Sequence, residues 1–319
     1  MSIGIIGQGF VGGSLTTVLS ERGEHVFVFD KTGKTAQGGI DTTYANGKRP
    51  TSIAQFVEMC EQSDRFTGIF FVCVPTPMYE DGTADTSIVE GVLAQIQAAD
   101  GNPRVSRIAV VKSTVPPGST ADWNKKYSEK GLTVVFNPEF LTEANALNDM
   151  REQNRIILGG PRPHINRVKQ LFQKSFPKTP IIKTGSTTAE MVKYLTNCYL
   201  AVKVSFANEV SQICEKLDEN GYNIDYDKVV EYSKFDKRLG DTHWAVPGPV
   251  PTHDGRYVRG FGGHCFPKDI NAMISLSKSL GVNPTVLSAA WEKNLEVRPE
   301  EDRDWNLQIG RAVSKKERT

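Results

Sequence analysis

The chain has 319 residues, enough for two domains at roughly 100–200 residues each. Its 38 Lys and Arg offset 37 Asp and Glu, so charge gives no reason to expect a nucleic acid or an anionic membrane as partner. The 5 cysteines are scattered, odd in number and lack a CxxC pair, which points to neither a disulfide framework nor a metal site. With no signal peptide and no apolar run long enough to span a bilayer, the expected setting is cytoplasmic.

Taken in order, Ser2–Ile6 is a short apolar run leading into Gly7-Gln8-Gly9-Phe10-Val11-Gly12. A helical pattern through Leu15, Val18 and Leu19 ends near Gly23, and His25–Phe29 reads as a second strand closing on Asp30. Strand, glycine turn, helix, strand and acid in this register form the dinucleotide-binding pattern. Gly7 permits the turn, Gly9 admits the pyrophosphate, and Gly12 lets helix and strand pack. Phe10 and Val11 open the helix whose N-terminus favours phosphate. Asp30 suits an adenosine ribose and repels a 2′-phosphate, so NAD is the expected cofactor; Lys31 beside it weakens the discrimination against NADP.

Four further strands are expected, and the first three end in polar loops. Gly68–Val74 leads to Pro75-Thr76-Pro77, and Arg107–Lys112 to Ser113-Thr114-Val115-Pro116-Pro117-Gly118. Leu132–Phe136 leads to Asn137-Pro138-Glu139-Phe140-Leu141-Thr142-Glu143, and Arg155–Gly160 follows. Ligands of open parallel sheets bind beyond the carboxyl ends of strands, so these loops are candidate site material. The expected class is α/β: a Rossmann-type doubly wound parallel sheet over 1–186, a helical central domain over 187–298, and a polar, fraying tail over 299–319.

A long helix is predicted over Ala189–Leu217. Met191, Leu195, Cys198, Val202, Phe206, Val210, Ile213 and Leu217 form one apolar stripe. Lys193, Asn197, Leu200 and Val204 form a second, largely apolar face, so burial on two sides is expected. Lys193 there is either a donor in a substrate cleft, its pKa lowered by desolvation, or a lysine that snorkels to a helix end. A shorter helix over Asn223–Lys237 and an irregular, Pro-rich stretch over Arg238–Arg259 precede Gly260-Phe261-Gly262-Gly263-His264-Cys265-Phe266-Pro267-Lys268-Asp269. Pro267 suits the first turn of a helix running to Gly281. Cys265 is then either a reactive thiol, activated by the helix N-terminus and Lys268, or a small buried hydrophobe. A last helix carries Val286, Leu287, Ala290 and Trp291.

Together the glycine turn, Val74-Pro75-Thr76-Pro77, Ser113–Gly118, Asn137–Leu141, Lys193-x-x-x-Asn197 and Gly262–Asp269 resemble the UDP-glucose/GDP-mannose dehydrogenase family. The resemblance implies oxidation of a nucleotide sugar's primary alcohol, UDP-glucose first, to the carboxylate with two NAD⁺. It implies Cys265 as nucleophile, Lys193 and Asn197 as oxyanion donors, Asp269 and Thr114 positioning the hydrolytic water, and Glu139 acting on thioester hydrolysis. For the cofactor it implies Gly7, Gly9, Phe10, Val11, Gly12, Asp30, Lys31, Val74, Pro75, Thr76, Ser113, Thr114, Glu143 and Lys268. For the substrate it implies Glu139, Phe140, Leu141, Lys193, Asn197, Arg238, Arg256, Gly262 and Cys265. Arg238 looks like the family's arginine given to a neighbouring subunit, and the long helix like its homodimer helix. The family continues into a nucleotide-holding domain for which no sequence follows here, so a short form is expected. Other readings are an enzyme of another sugar nucleotide or a smaller alcohol, and a non-catalytic NAD-binding protein.

Overall fold

Alternating short apolar runs and amphipathic stretches dictate a parallel sheet covered by helices on both faces. The structure, a computed structural model, describes residues 1–41, 49–102, 104–252 and 254–315; the expected tail residues 316–319 lie outside them. The chain divides into two units, one of residues 1–76 with 86–193 and the other of 77–85 with 194–319.

In the first unit β1 (Ser2–Ile6), α1 (Phe10–Glu21), β2 (His25–Phe29), β3 (Ile40–Asp41), α2 (Ile53–Glu61), β4 (Phe66–Val72), α3 (Ser87–Ala98), β5 (Arg107–Val111), α4 (Ser119–Tyr127), β6 (Leu132–Phe136), α5 (Ala146–Arg151), β7 (Ile156–Gly159), α6 (Arg162–Ser175) and β8 (Ile181–Thr184) follow one another. The strands lie in the order β3-β2-β1-β4-β5-β6-β7-β8. Ile69 and Phe71 of β4 and Ile108 and Val110 of β5 pack with Leu15, Val18 and Leu19 of α1 and with Val168, Leu171 and Phe172 of α6. Their neighbours Phe70, Val72, Ala109 and Val111 face the other way, onto Phe56 of α2, Val92 and Leu93 of α3 and Trp123 of α4. This two-residue alternation with helices on both sides makes the unit a doubly wound, Rossmann-like domain.

One pairing departs from an all-parallel sheet. β7 meets β6 antiparallel, at the single pair Phe136–Gly159. Next to that pair the Asn137 side-chain amide donates to the Ile157 carbonyl at 2.8 Å, joining the end of β6 to β7.

The second unit is helical. Most of α7 (Ser186–Glu219) belongs to it, the division falling between Lys193 and Tyr194. It adds α8 (Tyr226–Ser233), α9 (Phe266–Ser279) and α10 (Thr285–Val297). Its core joins Tyr194, Cys198 and Ala201 of α7 to Phe261, to Ile270 and Ile274 of α9 and to Ala290 of α10. The expected burial of α7 on two sides fails on one of them: Leu195, Tyr199, Phe206 and Ile213 are exposed. A single helical layer covers only the stripe that faces it.

The expected fraying of the charge run 300–304 fails as well, since Asp304 is paired with Arg298 and bonded to Gly263 N–H. Trp305 is 2% exposed, stacks on Trp291 with ring centroids 5.5 Å apart, and clusters with Met78 and Ala312. An aromatic residue directly after the charge run 300–304 supplies the apolar anchor that holds this segment down.

Candidate active site

In the first unit the candidate residues lie at strand ends. Gly7 has φ +91°. A Cβ on it would strike the Cys73 carbonyl oxygen, and one on Gly12 would strike the Gly7 carbonyl oxygen. Only glycine fits either position. Gly9 has open space where a side chain would be, and it begins α1 with no side-chain cap and no acid in the first turn. A helix start with no side-chain cap and no acid beside it suits a pyrophosphate, with Phe10 and Val11 in that first turn. Asp30 Oδ2 accepts from Gln8 N–H at 2.7 Å, and Oδ1 accepts from Thr32 N–H at 2.8 Å. Partial burial raises the Asp30 pKa, but the bonds from Thr32 and Gln8 outweigh it and hold the carboxyl below its ordinary value. Lys31 is exposed. A dinucleotide with a free ribose therefore fits this end of the unit.

Beside it, Ser113 Oγ donates to the Val74 carbonyl at 2.6 Å, tying together two of the expected cofactor loops. Pro75 is exposed, whereas Thr76 and Thr114 are buried. Glu143 opens a short 3-10 turn over Glu143–Asn145 and is exposed.

Glu139 and Lys193 come together as a buried pair, Nζ to Oε1 3.0 Å. Glu139 Oε2 accepts from Leu141 N–H at 2.7 Å. Burial pushes the Glu139 carboxyl up, but the Lys193 charge and the Leu141 N–H prevail and hold it below the ordinary range. The group is thus an anion at neutral pH. It retains lone pairs for a water or a substrate hydroxyl. Lys193 is 4% exposed, so the snorkelling alternative is excluded. Phe140 lies under the Arg155 guanidinium, 3.9 Å from the ring centroid.

Two residues of this end, Lys112 and Glu190, are not marked as site material by the sequence. Lys112 is buried and donates to Asn137 Oδ1 at 2.9 Å; burial pushes its pKa down to about 8. Asn137 thereby connects Lys112 to the Ile157 carbonyl. Glu190, fully buried on α7, accepts from Gly118 N–H at 2.7 Å and Thr120 N–H at 2.8 Å, and so caps α4. A lysine closing an otherwise apolar strand was the available signal for Lys112. For Glu190 it was a helix start at Gly118 with no side-chain cap of its own.

The second unit carries the cysteine stretch. Cys265 is the N-cap of α9, a free and partly exposed thiol, so it is not the fully buried residue of the alternative reading. Pro267 lies in the first turn as expected. Asp269, 1% exposed, accepts from Asn197 Nδ2 at 2.6 Å and from Lys268 Nζ at 2.5 Å. The Lys268 charge is therefore shared with a carboxylate, not left wholly to the neighbouring thiol. Gly262 sits flat against the Arg298–Asp304 ion pair, which a Cβ would strike. Arg238 is exposed and paired with Asp236 of its own turn. Arg256 pairs with Asp254 and with Asp302, each at 2.8 Å.

Comparison with known proteins gives a consistent result. Residues 1–176 match the NAD-binding domain, and residues 187–296 the central domain, of the UDP-glucose/GDP-mannose dehydrogenase family. The UDP-glucose 6-dehydrogenase AglM of Haloferax volcanii is 28% identical over 92% of this chain and 69% of its own length. The putative UDP-glucose 6-dehydrogenase YtcA of Bacillus subtilis is 31% identical over 86% of this chain and 62% of its own. A solved UDP-glucose dehydrogenase from Pyrobaculum islandicum superposes with a TM-score of 0.74 at 26% identity, covering 92% of this chain and 68% of that one. The chain thus spans about two-thirds of the length of the relatives it matches.

Proposed function

The chain belongs to the UDP-glucose/GDP-mannose dehydrogenase family and its cofactor is NAD; from that premise we propose that it oxidises the primary alcohol of a nucleotide sugar, UDP-glucose first, to the carboxylate. The observation that carries the reading is the free thiol of Cys265 at the N-cap of a helix whose first turn holds the Asn197–Asp269–Lys268 cluster. A binding module has no use for a nucleophile so supported.

NAD supplies a hydride acceptor, used twice per product acid. In the first oxidation the alcohol loses a hydride and its hydroxyl proton, giving an aldehyde. The Cys265 sulfur then adds to the carbonyl carbon, forming a thiohemiacetal, and loss of a second hydride and a proton leaves a thioester. Water adds to the thioester and expels the thiol, so one water is consumed and one carboxylate released. Lys193 and Asn197 would stabilise negative charge on the carbonyl oxygen as it develops. Glu139, held anionic by Lys193, suits proton acceptance from the attacking water. Asp269 and Thr114 would orient that water. Glu143 and Lys268 would serve the cofactor, and Arg238, Arg256, Phe140, Leu141 and Gly262 the substrate.

We also propose a homodimer through α7. Leu195, Tyr199, Phe206 and Ile213 expose an apolar stripe of the kind a self-complementary helix contact buries. Phe206→Glu should convert the dimer to a monomer in sedimentation; an unchanged mass would remove this helix as the contact. A cytoplasmic location accords with five unpaired thiols.

The function is tested by NADH formation with NAD⁺ and a panel of UDP- and GDP-sugars. Two NADH per acid with one sugar nucleotide is the expected result. Silence across the panel with NAD⁺ still bound would overturn it.

A further inference from the structure

The loop that presents Cys265 is made of residues with little to pack. Gly260 and Gly263 both take positive φ, +70° and +72°, and Gly262 lies between them. Such a stretch orders only if its backbone groups are held from outside, since glycine loses more freedom on folding than any other residue. Here they are held by side chains. Gly260 N–H donates to Asn208 Oδ1 at 3.2 Å. Phe261 N–H donates to Asn294 Oδ1 at 2.7 Å, and Asn294 Nδ2 donates back to the Phe261 carbonyl at 3.1 Å. Gly263 N–H donates to Asp304 Oδ2 at 2.9 Å.

Asp304 lies in the segment after α10. Its second oxygen accepts from Arg298 Nη2 at 2.9 Å. Arg298, 5% exposed, also donates to the Arg259 carbonyl at 3.2 Å and the Asp302 carbonyl at 2.8 Å. The segment is pinned on both sides of Asp304. Trp305 is buried against Trp291, and farther on Met78 N–H donates to the Ala312 carbonyl at 2.8 Å. Ser314 N–H donates to the Met78 carbonyl at 2.7 Å, and Ser314 Oγ to Asp85 at 2.6 Å.

We infer that residues 298–314 are a latch that fixes the cysteine loop, and that Asp304 is its positioning residue, acting on Cys265 through the Gly263 N–H. The latch itself stands on the bonds above; its effect on turnover rests on the proposed role of Cys265. Gly263 is two residues before Cys265, so freeing its N–H shifts the thiol without touching it. The Arg298 guanidinium, buried and deprived of its carboxylate, would reorganise and release the Arg259 carbonyl as well.

The test compares Asp304→Ala and Asp304→Asn with the parent 319-residue chain. Amide exchange of the 260–266 segment, iodoacetamide modification of Cys265 and steady-state kinetics are measured. Asp304→Ala should speed exchange in this segment about tenfold or more and alter the modification rate. It should lower kcat by up to about 10²-fold while the NAD Kd stays within twofold, because a small misplacement of a reacting group costs that much. Asp304→Asn keeps the size and one acceptor oxygen but turns an NH2 toward either Gly263 N–H or Arg298, so it should loosen the loop less than Asp304→Ala without restoring the parent. Exchange and modification rates unchanged in both variants would overturn the latch. Cys265→Ser separates the two readings. If that variant still forms acid while Asp304→Ala loosens the loop, the clasp stands and its catalytic role falls.

Discussion

Two glycine turns of this molecule are built in opposite ways. At Gly7–Gly12 the crowding atoms are backbone: the Cys73 carbonyl over Gly7 and the Gly7 carbonyl over Gly12. At Gly260–Gly263 they are side chains, Asn294 over Gly260 and the Arg298–Asp304 pair over Gly262. A turn walled by strand and helix backbone keeps its shape whatever the neighbouring side chains are. A turn walled by side chains keeps its shape only while those residues stay. The cofactor end thus inherits its geometry from the fold, and the cysteine end from particular residues.

The largest expected effect breaks the first turn. Gly12→Ala places a methyl on the Gly7 carbonyl, which cannot swing aside, and should cost about 1–3 kcal/mol together with most of the NAD affinity. Thermal melting and NAD titration check it; a variant that melts and binds like the parent would show that this wall is soft. Gly260→Ala sharpens the contrast, because an Asn294 side chain can move where a backbone cannot, although the left-handed φ adds strain. Next, Asp30→Ala should weaken NAD about tenfold, the scale of a lost charge-assisted hydrogen bond, and relax discrimination against NADP. Equal NAD and NADP constants before and after would remove the ribose assignment.

The smallest effect concerns the buried side-chain cation at the strand ends, Lys112. Its folded pKa of about 8 lies below the ordinary 10.5. Below pH 8 both folded and unfolded chains hold the proton, and the folded state carries the full penalty of a buried ammonium. Between about 8 and 10.5 the folded chain releases that proton first, so the unfolded state binds more protons and stability rises with pH. Melting curves of the parent and Lys112→Met across this window should therefore converge or cross as pH rises. A constant difference would mean that Lys112 does not titrate there.

The same contrast explains what could be read from the residues. Turn, first helix and Asp30 were legible because each follows from a short run of sequence whose period and glycine spacing act locally. The expected loops at the ends of β4, β5 and β6 were legible because strand ends bring loops to one edge. Lys112 reads in the sequence only as the end of a strand, since its acceptor Asn137 lies 25 positions on. Asp304 was lost in a charge run because its work is done 41 positions back, on Gly263. The stripe on α7 had the right period, but periodicity records that a face is apolar and not what covers it. The antiparallel direction of β7 was not legible because an apolar run of four residues carries no sign of which way it lies against its neighbour.

The pair of indoles at the latch has an optical consequence. Trp291 and Trp305 have ring centroids 5.5 Å apart and planes tilted by 52°. Two identical chromophores so close can couple their excitations, and the coupling is chiral where their transition dipoles and the line between them do not share a plane. A circular-dichroism couplet from this pair would then gauge the segment after α10 and disappear when either ring leaves its partner.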